Sequence, residues 1–261
     1  MKKFYVIGSN SSKSLSPTIF NYWFSKYKIK ASYKHLQLNN KNFDIKIKEI
    51  LQDKNLVGLN ITIPFKQKIM KHIDRLNKHS REINAVNCLT VRSKIIGTNT
   101  DWMGYFKTLP KNKNLKKEKI LIMGYGGAAL AIHYVLRKKG FKNITIVNRT
   151  KKKLKFENET KYTKSISDLG KHLNTAQIII NTTPKNLISS KNKKLVNPKA
   201  LLSDIVYKPK ETNFLKMFPK NKKIYGISML LEQAIPCFKI WFGFNPSVDQ
   251  KLIKLLNNKI K

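Results

Sequence analysis

The stretch Ile120-Leu121-Ile122-Met123-Gly124-Tyr125-Gly126-Gly127-Ala128-Ala129 decides how the second half of this chain folds. Its four apolar residues predict a buried strand. Glycines two residues apart let the backbone turn tightly into a helix whose N-terminus attracts a pyrophosphate. A second apolar run at 144–147 predicts the neighbouring parallel strand. Strand, glycine turn, helix and strand within about 30 residues are the fingerprint of a dinucleotide-binding α/β domain.

The residues after the second strand indicate which dinucleotide binds. An NAD-binding chain carries an Asp or Glu there, which holds the ribose 2′-hydroxyl. Here Asn148, Arg149, Lys151 and Lys152 offer hydrogen-bond donors and positive charge instead, and these groups suit a 2′-phosphate. We therefore expect the cofactor to be NADP.

Length and composition restrict the class of protein. At 261 residues the chain is longer than a typical domain of about 100 to 200, so we expect two domains. No apolar stretch approaches the ~18 residues of a membrane span, and the apolar run at 4–7 is too short for a signal-peptide core. Cys88 and Cys237 are the only cysteines and lie far apart in the sequence. We expect a soluble cytoplasmic protein with reduced thiols, no membrane partner and no metal ion.

The formal charge of +39 raises the question of nucleic-acid binding. The 48 lysines greatly outnumber the 5 arginines and are spread along the whole chain. Proteins that read nucleic acids favour Arg for bidentate contacts. We therefore expect no specific nucleic-acid partner, although the positive field would draw small anionic ligands toward a cleft.

The first half of the chain predicts an α/β domain in the order βαβαβ. The predicted elements are a strand at 3–8, a helix after Ser16-Pro17, a strand near 32–38, a helix near 41–51, a strand at 57–62, a helix near Pro64, strands around 85–91 and 94–97, and a helix from about Asp101. Ser16 is placed to cap the first helix.

The second half predicts a Rossmann-like domain followed by two helices. Its predicted elements are strands at 119–123, 144–148, 177–181, 201–206 and 223–226, and helices at 127–139, 228–242 and 246–258. The polar stretch 111–118 is predicted to be a linker or a helix that crosses between the domains. We expect the last helices to return to the first domain, which gives a substrate domain at 1–101, an NADP-binding domain at 102–237 and returning helices at 238–261.

Polar residues cluster where the strands of the first half end. They lie in Ser14-Leu15-Ser16, Asn60-Ile61-Thr62-Ile63-Pro64-Phe65-Lys66, Ala85-Val86-Asn87 and Asn99-Thr100-Asp101. Ligands of open α/β sheets collect outside the carboxyl ends of the strands. We therefore expect these side chains to face a cleft.

These segments, with Asp204-Ile205-Val206-Tyr207 and Gly226-Ile227-Ser228-Met229-Leu230-Leu231-Glu232-Gln233, resemble the shikimate dehydrogenase family. The resemblance runs from Ile7 to Gly243, in the family's order. It implies an oxidoreductase that reversibly reduces 3-dehydroshikimate to shikimate with NADPH, a step of chorismate and aromatic amino acid biosynthesis. It also implies the division into a substrate domain and a Rossmann-like cofactor domain.

The resemblance also implies roles for individual positions. Lys66 and Asp101 would be the catalytic pair, because hydride transfer to a carbonyl leaves an alkoxide that needs a proton and positive charge. Which of the two carries the proton is left open. The residues implied in substrate binding are Ser14, Ser16, Asn60, Thr62, Asn87, Tyr207 and Gln233. The residues implied in cofactor binding are Gly124, Gly126, Gly127, Ala128, Asn148, Arg149, Thr150, Thr182, Ile205, Gly226 and Met229.

The chain departs from the family's pattern at several positions. Phe20 stands where the family usually has His, Cys88 where it has Thr, and Asn84 where it has Gly. Tyr125 replaces a small residue of the glycine turn and must point away from a bound pyrophosphate. None of these departures removes a proposed catalytic group.

Two other functions stay open on the sequence alone. One is a relative that oxidises quinate or a similar cyclic hydroxy acid, with either NAD or NADP as its cofactor. The other is a non-enzymatic protein, either a binder of polyanions or a retired paralogue, which the intact Lys66 and Asp101 disfavour. The protein is expected to be a monomer or a homodimer.

Overall fold

The computed structural model describes residues 1–111, 116–156 and 159–260. Its strands are β1 (Lys2–Gly8), β2 (Ala31–Gln37), β3 (Leu56–Ile61), β4 (Arg75–Leu76), β5 (Cys88–Val91), β6 (Ile95–Thr98), β7 (Ile120–Met123), β8 (Ile144–Asn148), β9 (Lys153–Phe156), β10 (Glu159–Tyr162), β11 (Lys164–Ser165), β12 (Ile178–Asn181), β13 (Leu201–Asp204) and β14 (Lys223–Tyr225). Its α-helices are α1 (Ser16–Lys26), α2 (Phe43–Leu51), α3 (Lys78–Ile83), α4 (Asp101–Thr108), α5 (Gly127–Lys138), α6 (Leu169–Leu173), α7 (Ser190–Lys193), α8 (Asn213–Lys216), α9 (Gly226–Phe242) and α10 (Gln250–Lys259). No helix within these residues is long and apolar enough to cross a membrane.

The chain forms two compact units. The first comprises Met1–Asp101 and Leu231–Asn258, and the second comprises Trp102–Leu230 with the end of the chain. The C-terminal helices therefore return to the first unit, as the sequence predicts. Residues 231–237 lie in the first unit, whereas the sequence places them with the cofactor domain. The functional boundaries at 101 and 237 stay predictions.

The sheet of the first unit brings several chain segments to one edge. Its strand order is β2-β1-β3-β5-β6-β4. β1 runs parallel to β2 and β3, and β5 runs antiparallel to β3 and β6. Asn60 pairs with Cys88, which pairs in turn with Thr98. The carboxyl ends of β3 and β6 therefore meet the start of β5, and the predicted βαβαβ order is confirmed.

Two local predictions at this edge are wrong. Ser16 does not cap α1, because Leu15 occupies the N-cap position and the Ser16 N–H donates to Ser14 Oγ at 3.2 Å. Near Pro64 the chain forms a turn, closed by the Phe65 N–H donating to the Thr62 carbonyl at 2.9 Å. The helix predicted there is a short 3₁₀ helix at Lys68–His72.

Aromatic packing holds α9 against the first sheet. The Trp241 ring lies 4.8 Å from the Phe4 ring and 5.1 Å from the Phe20 ring, measured between centroids. Its Nε1 donates to the Leu89 carbonyl at 3.0 Å. A Cβ at Gly58 would lie 2.5 Å from the Trp241 indole. Only glycine leaves room for this close approach, which fixes α9 on the sheet.

The sheet of the second unit has the strand order β11-β8-β7-β12-β13-β14, and all its pairs are parallel. From β7 the chain builds the sheet first toward β8 and β11 and then, on the other side, toward β12, β13 and β14. Dinucleotide-binding folds show the same reversal, so the Rossmann-like prediction is confirmed. Ile120 and Ile122 pack into one apolar cluster, and Leu121 and Met123 pack into another. The sheet is therefore buried on both faces, which explains its continuous apolar strands.

Several elements of the second unit were not predicted from the sequence, namely β9, β10, β11, α6, α7 and α8. Between β8 and β11 the chain forms the antiparallel pair β9–β10, although this type of fold usually places a helix in a parallel crossover. The predicted linker at 111–118 lies partly outside the described residues.

The segment before α10 is tied to α1. The Ser247 N–H donates to the Tyr27 hydroxyl at 2.8 Å. The Tyr22 hydroxyl donates to Asp249 Oδ1 at 2.7 Å, and the same oxygen accepts the Leu252 N–H at 3.0 Å. Asp249 therefore caps the helix, and α10 begins later than the predicted start at 246.

We predict that Asp249→Asn lowers the melting temperature at pH 7. The Lys26 ammonium, the Leu252 N–H and the Tyr22 hydroxyl hold the pKa of the Asp249 carboxyl below its usual range. The stabilisation by the carboxylate is fully present above its unfolded-state pKa of about 3.9 and is lost as the pH falls through the lower folded-state value. Thermal denaturation at pH 7, and at a series of pH values below about 4, should show the difference from wild type shrinking in acid.

Asp168→Asn is the matched control for this prediction. Asp168 lies 3.4 Å from Lys171, whose side chain is 81% exposed, and such surface pairs contribute little to stability. We expect this variant to keep the wild-type melting temperature. A wild-type melting temperature for Asp249→Asn at pH 7 would contradict the prediction.

Candidate functional site

A buried ion pair lies at the edge where β3 and β6 end. Lys66 Nζ is 2.5 Å from Asp101 Oδ2, and the two side chains are 11% and 5% exposed. The Lys66 carbonyl accepts the Val86 N–H at 2.8 Å, which holds the turn after β3. The Asp101 N–H donates to Asn99 Oδ1 at 3.0 Å at the start of α4. The two residues predicted to be catalytic are thus in direct contact.

The Asn87 amide connects this pair to other polar side chains. Its Nδ2 lies 2.9 Å from Asp101 Oδ1, 2.9 Å from Thr100 Oγ1 and 3.1 Å from Gln233 Oε1. Its Oδ1 accepts the Thr100 N–H at 2.7 Å. Asp101 therefore has one carboxylate oxygen bonded to Lys66 and the other to Asn87. Since these groups are buried, water competes weakly for them and the carboxylate is held in one orientation.

Asn60 extends the network from the end of β3. Its Nδ2 donates to the Asn87 carbonyl at 3.0 Å and to Cys237 Sγ at 3.2 Å. Its Oδ1 accepts the Tyr33 hydroxyl at 2.7 Å. One connected network therefore joins five residues singled out from the sequence, namely Asn60, Lys66, Asn87, Asp101 and Gln233.

The other predicted substrate residues are placed differently. Ser14 and Ser16 bond to each other, with their hydroxyl oxygens 3.1 Å apart. Thr62 follows β3, and its N–H donates to the Ile7 carbonyl at 2.8 Å. Tyr207 is half-buried in the second unit, after β13.

Three residues of the network were missed by sequence reasoning. Thr100 stands between Asn99 and Asp101, so its place in the site could have been predicted from its position in the sequence. Tyr33 and Cys237 gave no signal, because a strand tyrosine and an isolated cysteine are ordinary core residues. Thr100 Oγ1 lies 3.1 Å from Cys237 Sγ.

The two cysteines are free thiols and both are buried. Burial raises the pKa of the Cys88 thiol, and the neighbouring Cys237 adds to the effect. The Cys88 thiol is therefore kept protonated and weakly reactive. Among the described residues, no group of three His, Cys, Asp or Glu side chains is placed to hold a metal ion.

The glycine turn after β7 leaves space at the N-terminus of α5. Gly124 has a φ of +105°, and a Cβ there would lie 2.6 Å from Thr182 Oγ1, so the fold itself requires glycine. Gly126 occupies the N-cap position, followed by Gly127 and Ala128 in the first turn of α5. A Cβ on Gly126 would meet no atom of the described residues within 4 Å. Packing therefore does not require Gly126, whereas a ligand approaching the helix N-terminus would.

Other predicted cofactor residues lie at the carboxyl ends of neighbouring strands. The Thr182 hydroxyl donates to the Met123 carbonyl at 2.7 Å. A Cβ at Gly226 would lie 2.5 Å from the Ile205 carbonyl oxygen, so α9 begins directly against the segment after β13. Met229, in the first turn of α9, is buried in the apolar cluster of this unit.

The end of β8 presents donors and positive charge. Asn148 Nδ2 donates to the Thr150 carbonyl at 2.8 Å, and Arg149 and Thr150 are exposed. Arg149 lines a cavity of about 750 Å³, whose other cationic residues include Lys151 and Lys164. An exposed guanidinium at this strand end is suited to a phosphate.

Tyr125 reaches toward β9. Its hydroxyl donates to the Lys153 carbonyl at 2.6 Å, and partial burial raises the pKa of the phenol. This contact holds the ring of the bulky residue in the glycine turn.

Asp204 holds the segment that carries Tyr207. Its Oδ1 accepts Asn181 Nδ2 at 3.1 Å and the Val206 N–H at 3.0 Å, and its Oδ2 accepts the Thr212 hydroxyl at 2.6 Å. Burial raises the pKa of this carboxyl, and the three donors oppose the rise. The sequence predicts no role for Asp204.

We predict different effects for two alanine substitutions in the glycine turn. Gly124→Ala should lower the free energy of unfolding by about 1–3 kcal/mol, because alanine is strained at positive φ and its Cβ would clash with Thr182. Gly126→Ala should keep the wild-type melting temperature but weaken NADPH binding. Thermal denaturation and fluorescence titration with NADPH measure the two effects. If Gly126→Ala binds NADPH with wild-type affinity, the assignment of the pyrophosphate to this turn is wrong.

Two segments of the chain match known protein families. Residues 6–89 match the shikimate dehydrogenase substrate binding domain, and residues 107–207 match the family described as shikimate / quinate 5-dehydrogenase. The shikimate dehydrogenase (NADP(+)) of Staphylococcus aureus is 37% identical over 255 residues, which are 95% of each chain.

Solved structures match the chain over its whole length. Shikimate dehydrogenase 1 from Peptoclostridium difficile is 25% identical, with a TM-score of 0.81 over 100% of this chain and 98% of that chain. Shikimate 5-dehydrogenase from Thermus thermophilus, solved in complex with NADP(H) and shikimate, is 23% identical and has the same fold, with a TM-score of 0.80 over 100% of both chains. The family matches and the 37% identity together show that the chain belongs to the shikimate dehydrogenase family.

Proposed function

We propose that this chain catalyses the reversible NADPH-dependent reduction of 3-dehydroshikimate to shikimate, in the biosynthesis of chorismate and aromatic amino acids. The observation that carries the proposal is the Lys66–Asp101 pair, buried within a network of amides. Lysine side chains are ordinarily solvated. The Lys66 side chain is only 11% exposed and contacts a carboxylate that is itself bonded to Asn87, which supports a functional role for the pair. The Staphylococcus aureus relative is named for the same activity and cofactor.

The second unit fits NADP. The open space at Gly126 admits phosphates to the N-terminus of α5, and the Arg149 guanidinium provides positive charge for a 2′-phosphate. NADPH supplies the hydride for the reduction. The other residues that we assign to cofactor binding are Gly124, Gly127, Ala128, Asn148, Thr150, Thr182, Ile205, Gly226 and Met229.

Lys66 and Asp101 meet the two needs of a developing alkoxide. The Lys66 ammonium brings positive charge and a transferable proton, and Asp101 orients it through the 2.5 Å contact. Burial strengthens both effects, because the attraction between charges grows as the local dielectric falls. Asn87 keeps Asp101 in place, so the pair is organised before substrate binds.

The amides of the network suit a ring that carries several hydroxyls. Asn60, Asn87 and Gln233 each have a donor and an acceptor group, and a hydroxyl can bond to either. All three side chains are buried, so their bonds to a ligand would be weakly contested by water. We assign these amides and the Thr62 hydroxyl to the ring.

Hydroxyls suit the substrate carboxylate. The Ser14 and Ser16 oxygens are 3.1 Å apart, a spacing at which two O–H donors can each reach one carboxylate oxygen. We assign this pair to the carboxylate, and we assign the Tyr207 hydroxyl to the same group.

The two buried free thiols fit the reducing cytoplasm, where we place this activity. We expect the protein to act as a monomer or a homodimer.

A comparison of four substrate and cofactor combinations tests the function. Initial rates should be measured with shikimate and with quinate, each with NADP and with NAD. We expect the highest kcat/KM for shikimate with NADP. A preference for quinate or NAD would replace the proposal with the related activity, and no turnover in any combination would overturn it.

We predict that Lys66→Ala and Asp101→Asn each lower kcat by about 10²- to 10⁴-fold, the usual contribution of a positioned acid or base. KM should change much less, because these contacts strengthen as charge develops in the transition state. Steady-state kinetics with shikimate and NADP check the split. Lys68→Ala, which removes a neighbouring lysine that pairs with Asp44, is the control and should keep wild-type kcat. If either Lys66→Ala or Asp101→Asn keeps wild-type kcat, the substituted residue has no catalytic role.

We predict that Arg149→Ala weakens binding of NADP far more than binding of NAD. The lost charge-assisted bond corresponds to about 1.5–3 kcal/mol, or roughly ten- to a hundredfold in affinity. Titrations with both dinucleotides measure the difference. Lys171→Ala removes an exposed charge elsewhere in the same unit and should leave the affinities for NADP and for NAD unchanged. This control distinguishes a local contact of Arg149 from the general effect of the chain's positive charge. If Arg149→Ala loses the same affinity for NADP and for NAD, Arg149 does not bind the 2′-phosphate and other residues must.

A further inference from the structure

The Tyr33 hydroxyl reaches the substrate network from inside the core of the first unit. It donates to Asn60 Oδ1 at 2.7 Å, and the two residues are 2% and 6% exposed. Tyr33 lies on β2, whereas Asn60 lies on β3, on the other side of β1. The proposed reaction gives this buried hydroxyl no role of its own.

The neighbouring helix holds Tyr33 rigidly. The Asn21 side chain accepts the Tyr33 N–H at 2.9 Å and donates to the Tyr33 carbonyl at 2.8 Å. The Phe20 ring stacks on the Tyr33 ring, with centroids 4.6 Å apart and planes inclined by 5°. Because Phe20 and Asn21 are consecutive residues of α1, one segment fixes both the backbone and the ring of Tyr33. The hydroxyl is therefore aimed at Asn60 with little freedom to turn away.

The bond matters because an amide side chain has two distinct ends. Asn60 Nδ2 faces two acceptors, the Asn87 carbonyl and Cys237 Sγ. Asn60 Oδ1 faces the Tyr33 hydroxyl, a donor, so all these contacts favour one orientation of the amide. Without that hydroxyl, the buried Oδ1 would lose its donor and the side chain would lose its restraint on that side.

We propose that Tyr33 is a positioning residue, whose hydroxyl locks the Asn60 amide in the orientation that receives a ring hydroxyl of the substrate. This inference rests on the proposed function. Asn60 is assigned to a ring hydroxyl that it would contact both before and during the reaction. Loss of the lock therefore weakens substrate binding more than it slows turnover.

The variant Tyr33→Phe tests the lock while keeping the ring that stacks on Phe20. We expect KM for shikimate to rise roughly 5- to 30-fold, the range for loss of one buried hydrogen bond. We expect kcat to stay within about twofold of wild type and KM for NADP to stay unchanged. Tyr22→Phe is the matched control, because it removes a hydroxyl from the same unit that bonds to Asp249. It should leave KM for shikimate unchanged even if it lowers the melting temperature.

A double-mutant cycle with Asn60→Ala tests whether Tyr33 acts through Asn60. If it does, Tyr33→Phe should raise KM in the wild-type background and change it by less than about twofold in the Asn60→Ala background. Equal effects in both backgrounds, or a lower melting temperature with wild-type KM, would overturn the inference. Failure of the wild-type protein to turn over shikimate would instead bring down the proposed function, and this inference with it.

Discussion

The hydrogen bond from Asn87 Nδ2 to Asp101 Oδ1 is the interaction on which the rest of the site depends. The antiparallel return of β5 beside β3 places Asn87 at the edge where the parallel strands end. From there its amide fixes one oxygen of Asp101, which leaves the other for Lys66. A buried ammonium is unfavourable without such a partner, so the position of Lys66 follows from the orientation of Asp101.

The parts of this arrangement that the sequence predicts are those encoded locally. Short, largely apolar runs flanked by turns predicted β7, β8 and β12, because a parallel sheet covered on both faces needs apolar side chains in both directions. The carboxyl-end rule for open sheets then predicted that Lys66, Asn87 and Asp101 would converge, although their functional roles stay predictions. Asn84 stands where the family usually has Gly. It ends α3 with a φ of +57°, a conformation that Asn adopts more easily than most residues, so the backbone tolerates this difference.

Contacts between distant parts of the chain set the features that the sequence did not predict. The bond between Tyr22 and Asp249 joins residues 227 positions apart and fixes where α10 begins. The Tyr33 hydroxyl meets Asn60 across 27 positions, so neither residue alone signals the other. At Ser16, the Ser14 hydroxyl oxygen accepts the Ser16 N–H, and Ser16 is the first residue of α1 and not its cap. In each case, a tertiary or neighbouring side-chain contact decided between conformations that local propensity left close in free energy.

The hydrogen bonds of the network differ in strength, and those to the sulfur of Cys237 are the weakest. This sulfur lies against an Asn60 N–H at 3.2 Å and the Thr100 hydroxyl at 3.1 Å, yet a thiol sulfur is a weak acceptor. Both groups also bond to Asn87, one to its carbonyl and the other to its side-chain amide, and the sulfur is the weaker hydrogen-bonding partner of each. An oxygen acceptor in place of this sulfur would hold both groups more strongly, so Cys237 leaves this part of the network less tightly bonded than the part around Asp101.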